Sequence, residues 1–150
     1  MRYFAIFLLN TVFIAALSGC GAAPVKPSDE VASADKAIAA FGAMKDAYVG
    51  RDAAAVTAFL SPEFKGGPAE FSGRARKDAD AFDKVELDPV VERVEETKDT
   101  VRVVFHWRGK WHDRQGREFE GRGNCVFVFK DDGGMKLFEI VGDSPFDVIK

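Results

Sequence analysis

The chain has 150 residues, 47% of them hydrophobic, which is one domain of ordinary size and a short extension rather than a multidomain enzyme. Twenty-one Lys and Arg against 24 Asp and Glu leave a formal net charge of −3, so no general electrostatic attraction to nucleic acid is expected. Fourteen Phe and two Trp supply apolar bulk for a packed core, while 14 Gly and 6 Pro are too few for a low-complexity chain.

Arg2 is followed by an uncharged stretch from Tyr3 to Val25, densest in apolar residues up to Leu17, which is the layout of a secretory signal. Asn10, Thr11, Ser18, Gly19 and Gly21 interrupt or end it too early for a membrane-crossing helix, which needs about 20 largely apolar residues. Its end, Leu17-Ser18-Gly19-Cys20, resembles the lipobox of bacterial lipoproteins, in which an aliphatic residue and two small ones precede an obligatory Cys. The resemblance implies a signal peptide over residues 1–19, removal of that peptide, and a diacylglyceryl and palmitoyl-type anchor on Cys20. Gly21, rather than Asp, after the Cys implies sorting to the outer membrane, facing the periplasm. More than one acyl chain makes such an attachment lasting. Residues 20–28, with Pro24 and Pro27, read as a flexible tether. With Cys20 alkylated, Cys125 has no partner for an intrachain disulfide and reads as a small buried apolar residue.

Residues 29–150 read as a single domain. Val31, Ala34, Ile38, Phe41, Met44 and Tyr48 recur at helical spacing over Asp29–Val49, and Gly50 is the expected left-handed terminator. Asp52 is placed to cap a second helix over Ala53–Leu60, and Phe71, Ala75, Ala79 and Phe82 predict a third within Ala69–Asp83. The period then changes to two. Lys84–Glu95 predicts an edge strand with a bulge at Asp88-Pro89, and Thr97-Lys98-Asp99 a turn. Thr100–His112 and Glu118–Phe129 alternate as the arms of a hairpin around Asp113-Arg114-Gln115-Gly116. Keeping their apolar faces together sets Trp107 opposite Gly121 or Gly123, either as aromatic-over-glycine packing or as the wall of a small concavity. Met135–Val141 predicts a last strand, apolar on both faces and therefore central or interfacial.

Helices followed by a curved antiparallel sheet of about four strands make an α+β fold. Tyr48-Val49-Gly50-Arg51-Asp52, Phe59-Leu60-Ser61-Pro62-Glu63-Phe64 and the terminal strand resemble the nuclear transport factor 2-like superfamily, the cone-shaped fold of ketosteroid isomerase-like and polyketide cyclase-like proteins. The resemblance implies a pocket between helices and sheet. Tyr48, Trp107, Trp111 and Glu139 are the candidate pocket-lining residues, Glu139 on the assumption that it points inward with Leu137 and Val141.

No catalytic residue is assigned. His106 and His112, the two histidines, lack a third ligand and imply no metal, and the absence of phosphate-loop, nucleophile-elbow and Cys-x-x-Cys motifs implies no cofactor. The first expectation is a noncatalytic envelope lipoprotein that binds a protein partner or small apolar ligand, with homodimerisation through the sheet open to it. A small isomerase, cyclase or hydrolase using Tyr48 or Glu139 is the second. A structural subunit of an envelope assembly, docking through Val104, Val126, Val128, Phe138 and Ile140, is the third.

Overall fold

The computed structural model describes residues 29–146 and 148. The expected signal peptide, lipobox with Cys20, and tether lie outside the described residues. The elements are α1 (Asp29–Val49), α2 (Ala53–Ala58), α3 (Pro68–Ala81), β1 (Phe82–Glu96), β2 (Val101–Asp113), β3 (Glu118–Asp131) and β4 (Met135–Gly142). The strands form one antiparallel sheet in the order β1-β2-β3-β4, and the helices lie against one of its faces, so the α+β architecture is as expected.

The inner face carries Val101, Val103, Phe105, Trp107 and Trp111 from β2 with Cys125, Phe127 and Phe129 from β3, all buried. Against them α1 presents Ala37, Phe41, Met44 and Tyr48. The buried stripe of α1 is therefore displaced from the one expected at its amino-terminal end: Val31 is 50% exposed and Ile38 37%. Helical spacing identifies a stripe, but two apolar rows a residue apart compete near Ala37 and Ile38, and the sheet selects the smaller side chain for close approach.

Both ends of α2 follow from hydrogen-bond accounting. The left-handed residue after α1 is Arg51 (φ 60°) rather than Gly50. Asp52 N–H donates to the Ala47 carbonyl at 2.9 Å and Arg51 N–H to Tyr48 at 2.9 Å, the paired bonds of a Schellman closure. Arg51 also donates its guanidinium to the Phe82 carbonyl at 3.0 Å, which offsets its unfavourable backbone conformation. Asp52 then accepts from Ala55 N–H, as a cap should. The helix stops at Ala58, short of the expected Leu60, because the chain is needed elsewhere. Leu137 N–H donates to Phe59, while Ser61 N–H donates to Leu137 and Lys65 N–H to Phe138, so this segment covers the free edge of β4.

Three strand expectations change. The last strand is an edge, not a central strand, and its outer side is paired by the 59–65 segment. Asp88 and Pro89 pair regularly with Arg108 and Trp107, and the bulge falls between Val91 and Arg93, with a second irregularity between Phe82 and Lys84. A proline needs no bulge on an edge strand. In β4 a register shift places Leu137 opposite Phe129 and Glu139 opposite Val128, with Phe138 as the extra residue. Ile140 consequently turns inward to the core, while Val141 is exposed.

Candidate functional site

Among the described residues, a polar cluster in an aromatic shell lies between the helices and the sheet. Tyr48, from the last turns of α1, is buried with its hydroxyl donating to Asp78 Oδ2 at 2.8 Å. Trp111 donates its indole N–H to the same hydroxyl at 3.0 Å. Asp78 is 1% exposed and lies on α3 in line with Phe71 and Ala75. Positions 71, 75, 78 and 82 make a better helical stripe than 71, 75, 79 and 82, so the signal for Asp78 was present in the spacing. A carboxylate is not expected on a buried stripe, which is why sequence reasoning passed over it.

The described residues after β4 close this cluster. Gly142 has φ +96°, and a side chain there would press on the Asn124 carbonyl, so only glycine turns the chain off the sheet at this point. Asp143 N–H donates to Asn124 at 2.9 Å, and the Asp143 carbonyl accepts from the Trp107 indole at 2.7 Å. Phe146 is 1% exposed, its ring 4.6 Å from that of Tyr48 and 5.6 Å from that of Phe127. Val148 N–H donates to Asp78 Oδ2 at 3.2 Å. The adjoining void, bordered by Tyr48, Arg51, Val56 and Asp78, is too narrow to admit a water molecule. The phenolic proton is directed at Asp78, so in this arrangement Tyr48 serves as an acceptor for Trp111 rather than as a donor to a bound molecule.

Tyr48, Trp107 and Trp111 are thus brought together, whereas Glu139 is not. The bulge at Phe138 puts Glu139 on the outer face, where it pairs with Lys65 at 3.0 Å. An expectation that Glu139 follows Leu137 and Val141 fails because one extra residue reverses the parity. Trp107 stands opposite Gly123, and the two indoles meet edge to face at 6.0 Å. The paired glycines beneath them are crowded: a Cβ at Gly109 would fall within the Trp111 ring, and one at Gly121 would press on both indoles at 3.2–3.3 Å. This is aromatic-over-glycine packing.

An open concavity of about 910 Å³ lies elsewhere, bordered by Lys45 and Val49 of α1, Leu87 of β1 and the β2–β3 segments around Gly109 and Gly121. None of the four expected lining residues borders it. The outer face of the sheet is charged: His106 pairs with Glu92 at 3.0 Å and Arg102 with Glu95 at 3.3 Å, while Arg108 stands opposite Arg122. Val104, Val126 and Phe138 are half-buried there, Val128 is buried, and Lys130 covers the Phe138 ring at 3.6 Å. Among the described residues no group of His, Cys, Asp and Glu is arranged to hold a metal ion. Burial pushes the Cys125 thiol up to about 12, so it stays protonated and unreactive at neutral pH.

No family model matches the chain, and no curated protein matches it in sequence. Solved structures do share its fold. A nuclear transport factor 2-like superfamily protein from Salmonella enterica serovar Typhimurium superposes with a TM-score of 0.65 at 12% identity, over 81% of this chain and 96% of that one. A ketosteroid isomerase-like protein from Erwinia carotovora atroseptica gives 0.62 at 16% identity, over 75% and 98%. A hexachlorocyclohexane dehydrochlorinase gives 0.62 at 10% identity, over 79% and 88%.

Proposed function

We propose that the chain, a nuclear transport factor 2-like fold, is a bacterial envelope lipoprotein whose domain binds a ligand or partner without catalysing a reaction. Residues 1–19 export it, lipid on Cys20 anchors it, most consistently to the periplasmic side of the outer membrane, and residues 20–28 give the domain reach. The domain's role rests on one observation: Phe146 occupies the interior, and Tyr48, Asp78 and Trp111 spend their polar atoms on one another and on the segment after β4. A general acid or base needs free geometry toward a reacting atom, and these groups are committed. Folds host many chemistries, so a dehydrochlorinase of the same fold does not transfer its activity here.

Acyl labelling and membrane fractionation of the intact protein test the anchor. Wild type incorporates labelled palmitate and sediments with membranes; Cys20→Ala does neither. Identical behaviour of the two proteins rejects the assignment. Crosslinking in intact cells, from a photoreactive residue at Arg122 on the outer face, captures a discrete partner if the domain docks through the sheet, a second copy of the chain included.

A second reading, a small isomerase- or dehydratase-type enzyme, draws on the phenol–carboxylate pair of Tyr48 and Asp78 within an apolar interior. It requires turnover that Asp78→Asn abolishes while the folded state is retained.

A further inference from the structure

The outer edge of β4 is covered by main-chain bonds to Phe59, Ser61 and Lys65, and the outer edge of β1 is interrupted by Pro89 and by the bulge between Val91 and Arg93. β4, however, pairs with β3 only from Cys125 onward. Along Glu118–Gly123, β3 therefore has β2 on one side and no strand of the described residues on the other. Asn124 fixes which groups point there. Its carbonyl accepts from Asp143 N–H at 2.9 Å on the β4 side, and main-chain groups alternate in direction along a strand. The N–H and C=O of Glu120 and Arg122 are thus directed to the open side, where they bond to no described residue. By the same alternation Pro89 turns its protonless nitrogen to the open side of β1. The open stretch of β3 carries neither a proline nor a bulge.

Charge indicates what fits this edge. Arg122 stands opposite Arg108 in a pair of the non-hydrogen-bonded kind, the closer of the two, where like charges repel. Both are exposed, and among the described residues neither makes an ion pair. Lys84, Arg93, Arg102, Lys110 and Lys130 on the same face each have a carboxylate partner. On the inner side of the stretch Phe119 is 41% exposed. We propose that Glu118–Gly123 accepts an extended segment of a partner protein as a further antiparallel strand, with an acidic residue opposite Arg122 and an apolar one opposite Gly121, beside Phe119. The main-chain groups of Glu120 and Arg122 supply affinity, and the incoming carboxylate meets the Arg122 guanidinium and offsets its repulsion from Arg108. A neutral residue fits opposite Glu120, which is already paired with Lys110. A second copy of this edge fits poorly: setting Glu120 against its Arg122 puts Glu118 opposite Asn124, a place Asp143 already holds. The inference rests on reading the domain as a partner-binding module and names the partner's chemistry.

The capped pentapeptide Thr-Glu-Ile-Thr-Val, titrated into the full chain and followed by its amide resonances, tests the proposal. In the free protein the Glu120 and Arg122 amides exchange rapidly with solvent, while that of Gly121, bonded to β2, is protected; saturating peptide slows the first two. Replacing the peptide's Glu by Lys weakens binding about tenfold, and Arg122→Glu reverses the order of the two peptides. Glu120→Pro gives β3 the protection that Pro89 gives β1 and abolishes binding. Methylating the main-chain nitrogens of the peptide's Glu and second Thr does the same with the protein unchanged. Equal binding of the Glu and Lys peptides overturns the acidic partner. Glu120 and Arg122 amides that are already protected in the free chain mark a covered edge and overturn the inference, as does a Glu peptide that shifts no resonance of this stretch. Cys20→Ala leaves peptide binding unchanged, and crosslinking in intact cells reads partner binding independently, so failure of the edge is distinct from failure of the anchor or of the partner-binding reading.

Discussion

The two faces of the sheet come from the same strands, residue by residue, yet polar groups do different work on each. On the inner face three side chains, Tyr48, Asp78 and Trp111, meet out of contact with water at 2.8–3.0 Å. On the outer face carboxylates and cations pair at similar separations in solvent, as Lys65 with Glu139 and His106 with Glu92. Hydrogen bonds from Lys110 hold the Glu120 carboxyl below its ordinary range, but that group is fully solvated. The comparison teaches that distance alone does not rank these contacts. A buried donor that loses its acceptor forfeits its whole desolvation energy, whereas an exposed one exchanges its partner for water.

Four measurements break or sharpen this contrast. Phe127→Ala, at a residue without exposed surface that packs on Phe41, Phe105, Phe129 and Phe146, is expected to cost about 3–5 kcal/mol in urea unfolding, chiefly as a cavity. Asp78→Ala removes the acceptor used by the Tyr48 hydroxyl and the Val148 N–H and should cost about 2–3 kcal/mol; Asp78→Asn, which keeps an acceptor, should recover roughly half of that. Cys125 gives the alkaline response. Its thiol is pushed up from 9.0 to about 12 in the folded protein, so its contribution is whole below pH 9 and declines as pH rises toward 12, by at most about 1.4 kcal/mol per pH unit. Below pH 9 a disulfide reagent should label Cys125 only on unfolding, and rapid labelling of the native protein would contradict its burial. Lys65→Ala, on the solvated side, should change stability by less than about 0.5 kcal/mol despite its 3.0 Å bond to Glu139, and a loss as large as that of Asp78→Ala would erase the distinction.

Much of the architecture was legible because it depends on periodicity and local backbone chemistry. The alternation from Val101 to Trp111 and from Phe119 to Phe129 specified the hairpin and its inner face, and Asp52 announced the start of α2. Tyr48, Trp107 and Trp111 were legible as neighbours of one interior, since a helix stripe and a strand face must meet somewhere. Asp78 and Phe146 were not. One is a charge where the pattern calls for an apolar residue, and the other is a lone aromatic beyond the last periodic segment.

What sequence by itself determined is which residues share a face: helices and strands repeat every few residues, and each position is set by its immediate neighbours. What only the tertiary structure decided is where that repeat is broken and what fills the space left between layers. One extra residue at Phe138 sent Glu139 outward, the exposed edge of β4 drew Phe59 and Leu60 out of helix, and the interior took Phe146 and tied Val148 to Asp78. Each outcome satisfies a volume or a hydrogen bond contributed by residues distant along the chain, which no local pattern can encode.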